Sequence, residues 1–142
     1  MGDESVGCDA AEAHVMVQEP VHFDPLLMLG AVAIGMAQVA DAYLLRSGET
    51  QRITAISFSI IEWIWGALCV YLLVHQSHRF PLWLAAMFLA QLLGWVLFII
   101  MQAAKGRAME NFELSPTQAL AGGIFGAVYA TAALVTWIGV GA

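Results

Sequence analysis

Charge is what this sequence has least of. Lys, Arg, Asp and Glu make up 11% of its 142 residues, where a soluble domain carries about 25%, and hydrophobic residues make up 61%. Such a chain suits lipid better than water, and an all-α integral membrane protein is expected. Bases are scarcer than acids, five against eleven. Five bases exclude the electrostatic footprint of a nucleic-acid binder, so no nucleic-acid partner is expected. Cysteine is also sparse: Cys8 stands in a polar segment and Cys69 in an apolar run, with neither a redox pair nor a zinc spacing, and both are expected as free thiols. The sequence has no glycine-rich phosphate loop, no HExxH, and no nucleophile-base pair inside an apolar run. Catalysis by this chain alone is therefore not expected, and the one enzyme class left open is lipid-active.

What the sequence does have is long apolar stretches. Four are read as spans, at about 25–45, 53–75, 80–104 and 116–141, and nothing charged occurs from Phe80 to Ala104 or from Leu114 to Ala142. The runs are continuous rather than alternating, which predicts helices and not barrel strands. Asp24-Pro25 and Ser115-Pro116-Thr117-Gln118 read as helix starts, the second as a capping box with proline at the first helical position. Short connections predict a four-transmembrane-helix bundle with antiparallel neighbours, covering residues 25–142.

Polar residues inside these runs mark the candidate site. Glu62 lies nine residues into the second span, roughly 13 Å deep at ~1.5 Å per residue, close to the middle of a hydrocarbon core of about 30 Å. On a wheel of ~100° per residue Ala55, Ser59, Gly66, Cys69 and Leu73 fall on its side, whereas Ile53, Ile60, Ile64, Ala67 and Tyr71 lie opposite. The small, faintly polar face predicts close approach of another helix. Two roles fit Glu62: a protonated acid bridging helices, or a group that binds and releases a proton or cation. Gln91, at mid-depth in the third span, is the expected hydrogen-bond partner of Glu62. In the first span Ala31, Gly35, Gln38, Asp41 and Ala42 share a face, and Asp41, near the end, is expected to pair with Arg46 or Arg52. The fourth span carries small residues every four positions, Ala119, Gly123, Ala127 and Thr131, and Gly122, Gly126 and Ala130. Gly66, Gly123, Gly126, Ala127 and Ala130 are the predicted helix-packing positions.

Residues 1–24 hold six acids and no Lys or Arg, an acidic and flexible tail that would suit docking to a basic partner. His75 and His78, three apart, are considered as metal or haem ligands. A bis-His haem needs a second ligand on another helix at matching depth, and His14 and His22 lie in the tail, although His22 could approach the same surface; interfacial histidines are expected and no cofactor is indicated. Four of the five bases lie in the loops 46–52 and 105–115. Those loops are expected to face the cytoplasm of a cell inner membrane or its organellar equivalent, with both termini on the other side. Two functions fit these features. One is a non-catalytic small subunit of a larger membrane complex, such as an energy-transducing one, with the bilayer and other subunits or copies of itself as partners. The other is a small homo-oligomeric proton-coupled transporter or channel that uses Glu62.

Overall fold

The computed structural model describes residues 21–47, 52–106 and 116–141, with side chains over 21–44, 60–106 and 117–140. It is all-helical in the described residues: α1 is Pro25–Ser47, α2 Arg52–His75, α3 Leu82–Ala104 and α4 Pro116–Gly141. Three of the helices, over Pro25–Leu44, Leu82–Ala104 and Thr117–Val140, are long and apolar enough to cross a membrane. The fourth, α2, is apolar across Ile60–His75. The tail 1–20 and the capping residue Ser115 lie outside the described residues.

Helix starts and stops follow local chemistry. Asp24 caps α1: its Oδ1 accepts from the Leu26 N–H at 3.0 Å, and its carbonyl accepts from the Met28 N–H at 3.0 Å. The same residue reaches the turn after α2. Arg79 Nη2 donates to Asp24 Oδ2 at 3.0 Å, and the Asp24 N–H donates to the Arg79 carbonyl at 2.9 Å, which fixes the start of α1 beside that turn. The Arg79 side chain is about half exposed, so the ion pair contributes at most about 1 kcal/mol. At the far end of α3, Gly106 adopts φ +72° and its N–H donates to the Ala103 carbonyl, a left-handed stop that glycine accepts without strain.

The closest helix contact joins the first helix to the last. A Cβ added to Gly35 would lie 2.6 Å from the Gly126 carbonyl oxygen and 2.8 Å from Ala130 Cβ, and one added to Gly123 would lie 2.7 Å from Ala42 Cβ. Numbers rise along α1 as they fall along α4, so the two helices run antiparallel. The seam residues are Met28, Ala31, Gly35, Gln38 and Ala42 on α1 and Ala119, Gly123, Gly126, Ala130 and Ala133 on α4. Both sets alternate steps of three and four, the spacing that keeps one face on a neighbour. A strict step of four drifts by about 40° each time, which carries Ala127 and Thr131 away from α1, where both are exposed.

The α2–α3 pair packs on this seam through aromatic and aliphatic groups. Trp65, Phe80, Leu84, Phe88 and Tyr129 are buried together with Met28 and Ala31. Gly66 is buried against Leu92 and Phe88, so glycine there lets α3 sit close. The opposite face of α2 carries Ile60, Ile64 and Tyr71, all exposed. Leu26, Leu97, Val135 and Ile138 are exposed on the other helices, an exterior that matches a hydrocarbon solvent.

Candidate functional site inside the helix bundle

Gln38 is the centre of the candidate site. It sits in the α1–α4 seam, 4% exposed, where the missing side chain of Gly126 makes room for it: a Cβ there would come within 2.7 Å of Gln38 Cβ. From that position its amide reaches two other helices. Gln38 Nε2 donates to Gln91 Oε1 on α3 at 3.0 Å, and the half-buried carboxyl of Glu62 on α2 lies near the Gln38 side chain. Asp41, almost one turn further along α1, is close enough to Glu62 to act on it electrostatically.

The amide of Gln91 is thus bonded to Gln38, and the carboxyl of Glu62, its expected partner, lies near the same Gln38 side chain, which the glycine seam holds inside the bundle. The expected partners of Asp41, the side chains of Arg46 and Arg52, lie outside the described residues. Acceptors exceed donors in the cluster: Gln38 Oε1 and Asp41 Oδ1 are buried and accept no hydrogen bond among the described residues. The species such a site accommodates is one that donates, either a proton carried on a carboxyl or a small cation.

A second buried polar contact was not foreseen from the sequence. Trp65 Nε1 donates to the Tyr129 hydroxyl at 3.2 Å, while Tyr129 is fully buried with its ring centroid 5.4 Å from Phe88 and 5.9 Å from Phe125. The indole rests over Gly30, where a Cβ would meet it at 2.7 Å. Its sequence signal is a lone tyrosine in a helix built mostly of small and aliphatic residues. A buried hydroxyl needs a partner, and a Trp at matching depth supplies one.

The predicted packing residues divide between two surroundings. Gly123, Gly126 and Ala130 line the α1–α4 seam and Gly66 the α2–α3 contact. Ala127 instead lies on the wall of an open groove of about 480 Å³ between α1 and α4, together with Val39, Ala42, Tyr43, Leu120 and Gly123. A smaller lateral pocket of about 240 Å³ opens between α3 and α4, and Gln91 lies in its lining. His75 and His78 are exposed, with His75 stacked on Tyr71 at 4.9 Å. Among the described residues no group of three or more His, Cys, Asp or Glu could hold a metal ion. Cys69 is a buried free thiol in the core, and Cys8 lies outside the described residues.

No family model, curated protein or solved structure matches the chain. The class defined by the fold is a helical membrane protein, with a polar cluster drawn from three helices in its interior.

Proposed function

We propose that this chain is a non-catalytic multipass subunit of a larger membrane assembly. The observation that carries this reading is the groove beside the α1–α4 seam. Ala42, Thr117, Gly123 and Ala127 leave a cleft of about 480 Å³ on the outside of the bundle, and small side chains at an outer helix surface are what a further transmembrane helix packs against in lipid. In this reading all four helices cross the bilayer, α2 included. The loops 46–52 and 105–115 face the cytoplasm or its organellar equivalent, and the acidic tail lies on the other side, free to dock. Other subunits fill the groove and the bilayer covers the rest.

The test is purification from the native host in mild detergent or nanodiscs, with the stoichiometry of the assembly determined by native mass spectrometry. A fixed ratio of foreign subunits that is lost in an Ala127→Phe variant, while the variant itself still folds, is the expected result. Isolation of a homo-oligomer alone, unaffected by Ala127→Phe, would overturn the reading.

A second reading draws on the Glu62–Gln38–Gln91 cluster, which supports a proton-coupled transporter or channel in which Glu62 is the coupling group. Proton flux into liposomes that is abolished by Glu62→Gln in an intact oligomer is the result that reading requires. A Glu62→Gln chain that keeps its cellular role would remove it.

A further inference from the structure

The lateral pocket between α3 and α4 differs in character from the helix groove. Its lining combines three aromatic rings, Trp95 and Phe98 from α3 and Phe125 from α4, with the amides Gln91 and Gln118 and the glycines Gly94 and Gly122. A Cβ added to either glycine would meet nothing within 4 Å, so the backbone itself borders free space on both helices. On each helix the lining spans eight residues, a length of about 10 Å at ~1.5 Å rise. That length suits a ring system. The volume of about 240 Å³ lies below the ~300–1,000 Å³ that encloses a whole drug-sized ligand, and the opening faces the apolar exterior. The occupant is thus a headgroup whose tail remains in the bilayer.

The polar cluster settles what that headgroup must offer. Gln91 Oε1 already accepts one bond from Gln38 Nε2, whereas Gln91 Nε2 donates no side-chain bond among the described residues, so the amide has a donor to offer a ligand. A donor in an apolar, ring-lined site selects a flat group that carries an acceptor oxygen.

We propose that the α3–α4 pocket binds the ring of a neutral, membrane-dissolved amphiphile whose carbonyl oxygen accepts from Gln91 Nε2, a quinone-type headgroup on an aliphatic tail being the chemical class. Binding there is linked through Gln91 to Gln38, because the ligand and Gln38 hold the two ends of one amide. The site is independent of whether the chain is a subunit or a transporter.

The probes are decylubiquinone, which has ring, acceptor and tail, and decylbenzene, which has ring and tail alone. The full chain in nanodiscs is titrated with each while the side-chain amide resonance of Gln91 is followed by NMR and assigned by its loss in Gln91→Leu. Decylubiquinone produces a saturable shift and decylbenzene does not. Gly122→Leu, whose side chain grows into the pocket and not into protein, weakens binding by about tenfold or more. Gly139→Leu, also bordered by open space but outside the pocket, leaves binding unchanged. A shift that rises linearly with probe concentration is partition into lipid and overturns the proposal. So does native-like binding by Gly122→Leu, an equal response to decylbenzene, or a partner helix seated in the pocket of the native assembly.

Discussion

Replacing Gly126 with alanine tests how closely α1 and α4 depend on each other. The new methyl carbon would lie 2.5 Å from the Gly35 carbonyl oxygen and 2.7 Å from Gln38 Cβ. Neither atom is the end of a flexible side chain. Bringing the nearer contact from 2.5 Å to the 3.4 Å of ordinary packing therefore separates the two helices by about 0.9 Å. Overpacking of this kind costs about 1–3 kcal/mol. The same displacement moves Gln38, whose 3.0 Å bond to Gln91 has little length to spare. An interhelical hydrogen bond in a membrane contributes about 0.6 kcal/mol on average. Alanine gains up to about 1 kcal/mol in helix propensity, and that gain is removed by comparison with Gly122→Ala, one turn earlier, where a Cβ meets nothing within 4 Å. Gly126→Ala should then be less stable than Gly122→Ala by about 2–3 kcal/mol. Reversible unfolding in mixed micelles by titration with a denaturing detergent measures the difference. Equal stabilities for the two variants would refute the close seam and, with it, the placement of Gln38.

Two further outcomes follow from the polar contacts. Gln38→Leu removes the amide beside Glu62, so the carboxyl C=O band of Glu62, identified by its absence in Glu62→Gln, should move in the infrared spectrum. An unmoved band would mean that Gln38 does not touch Glu62. Trp65→Phe takes away the donor to the Tyr129 hydroxyl and leaves a small void, at a cost of about 1–3 kcal/mol by the same unfolding assay. In a Tyr129→Phe background the cost should shrink by the hydrogen-bond part, and a cycle with no coupling would argue against the bond.

The existence of the helices was legible because runs of apolar residues bounded by Asp24-Pro25, Pro81 and Pro116 leave few alternatives to a spanning helix. Three of them have the length and composition in the structure as well. The faces were partly legible. The wheel of α2 placed Gly66 and Cys69 inward and Ile60 and Ile64 outward, as found. Lateral arrangement was not legible, because every helix except α3 carries a small-residue face and depth alone does not say which faces meet. For that reason Gln91 was matched to Glu62 directly. Both residues fall near the middle of their apolar runs, and the Gly35–Gly126 contact is what brings Gln38 against Gln91. Ala127 illustrates the same limit: a row of every fourth residue looks like a single stripe in sequence but winds around the helix in space.

The antiparallel seam also bears on how the chain is made. The N-terminal helix, α1, leaves the ribosome well before α4, yet α4 is the neighbour that covers Gly35 and Gln38. Until then Gln38 lacks the glycine surface it packs against in the finished bundle. Closure is thus a late event that joins distant parts of the sequence, and the rate at which translation delivers residues 116–141 sets how long the α1 side of the seam stays uncovered.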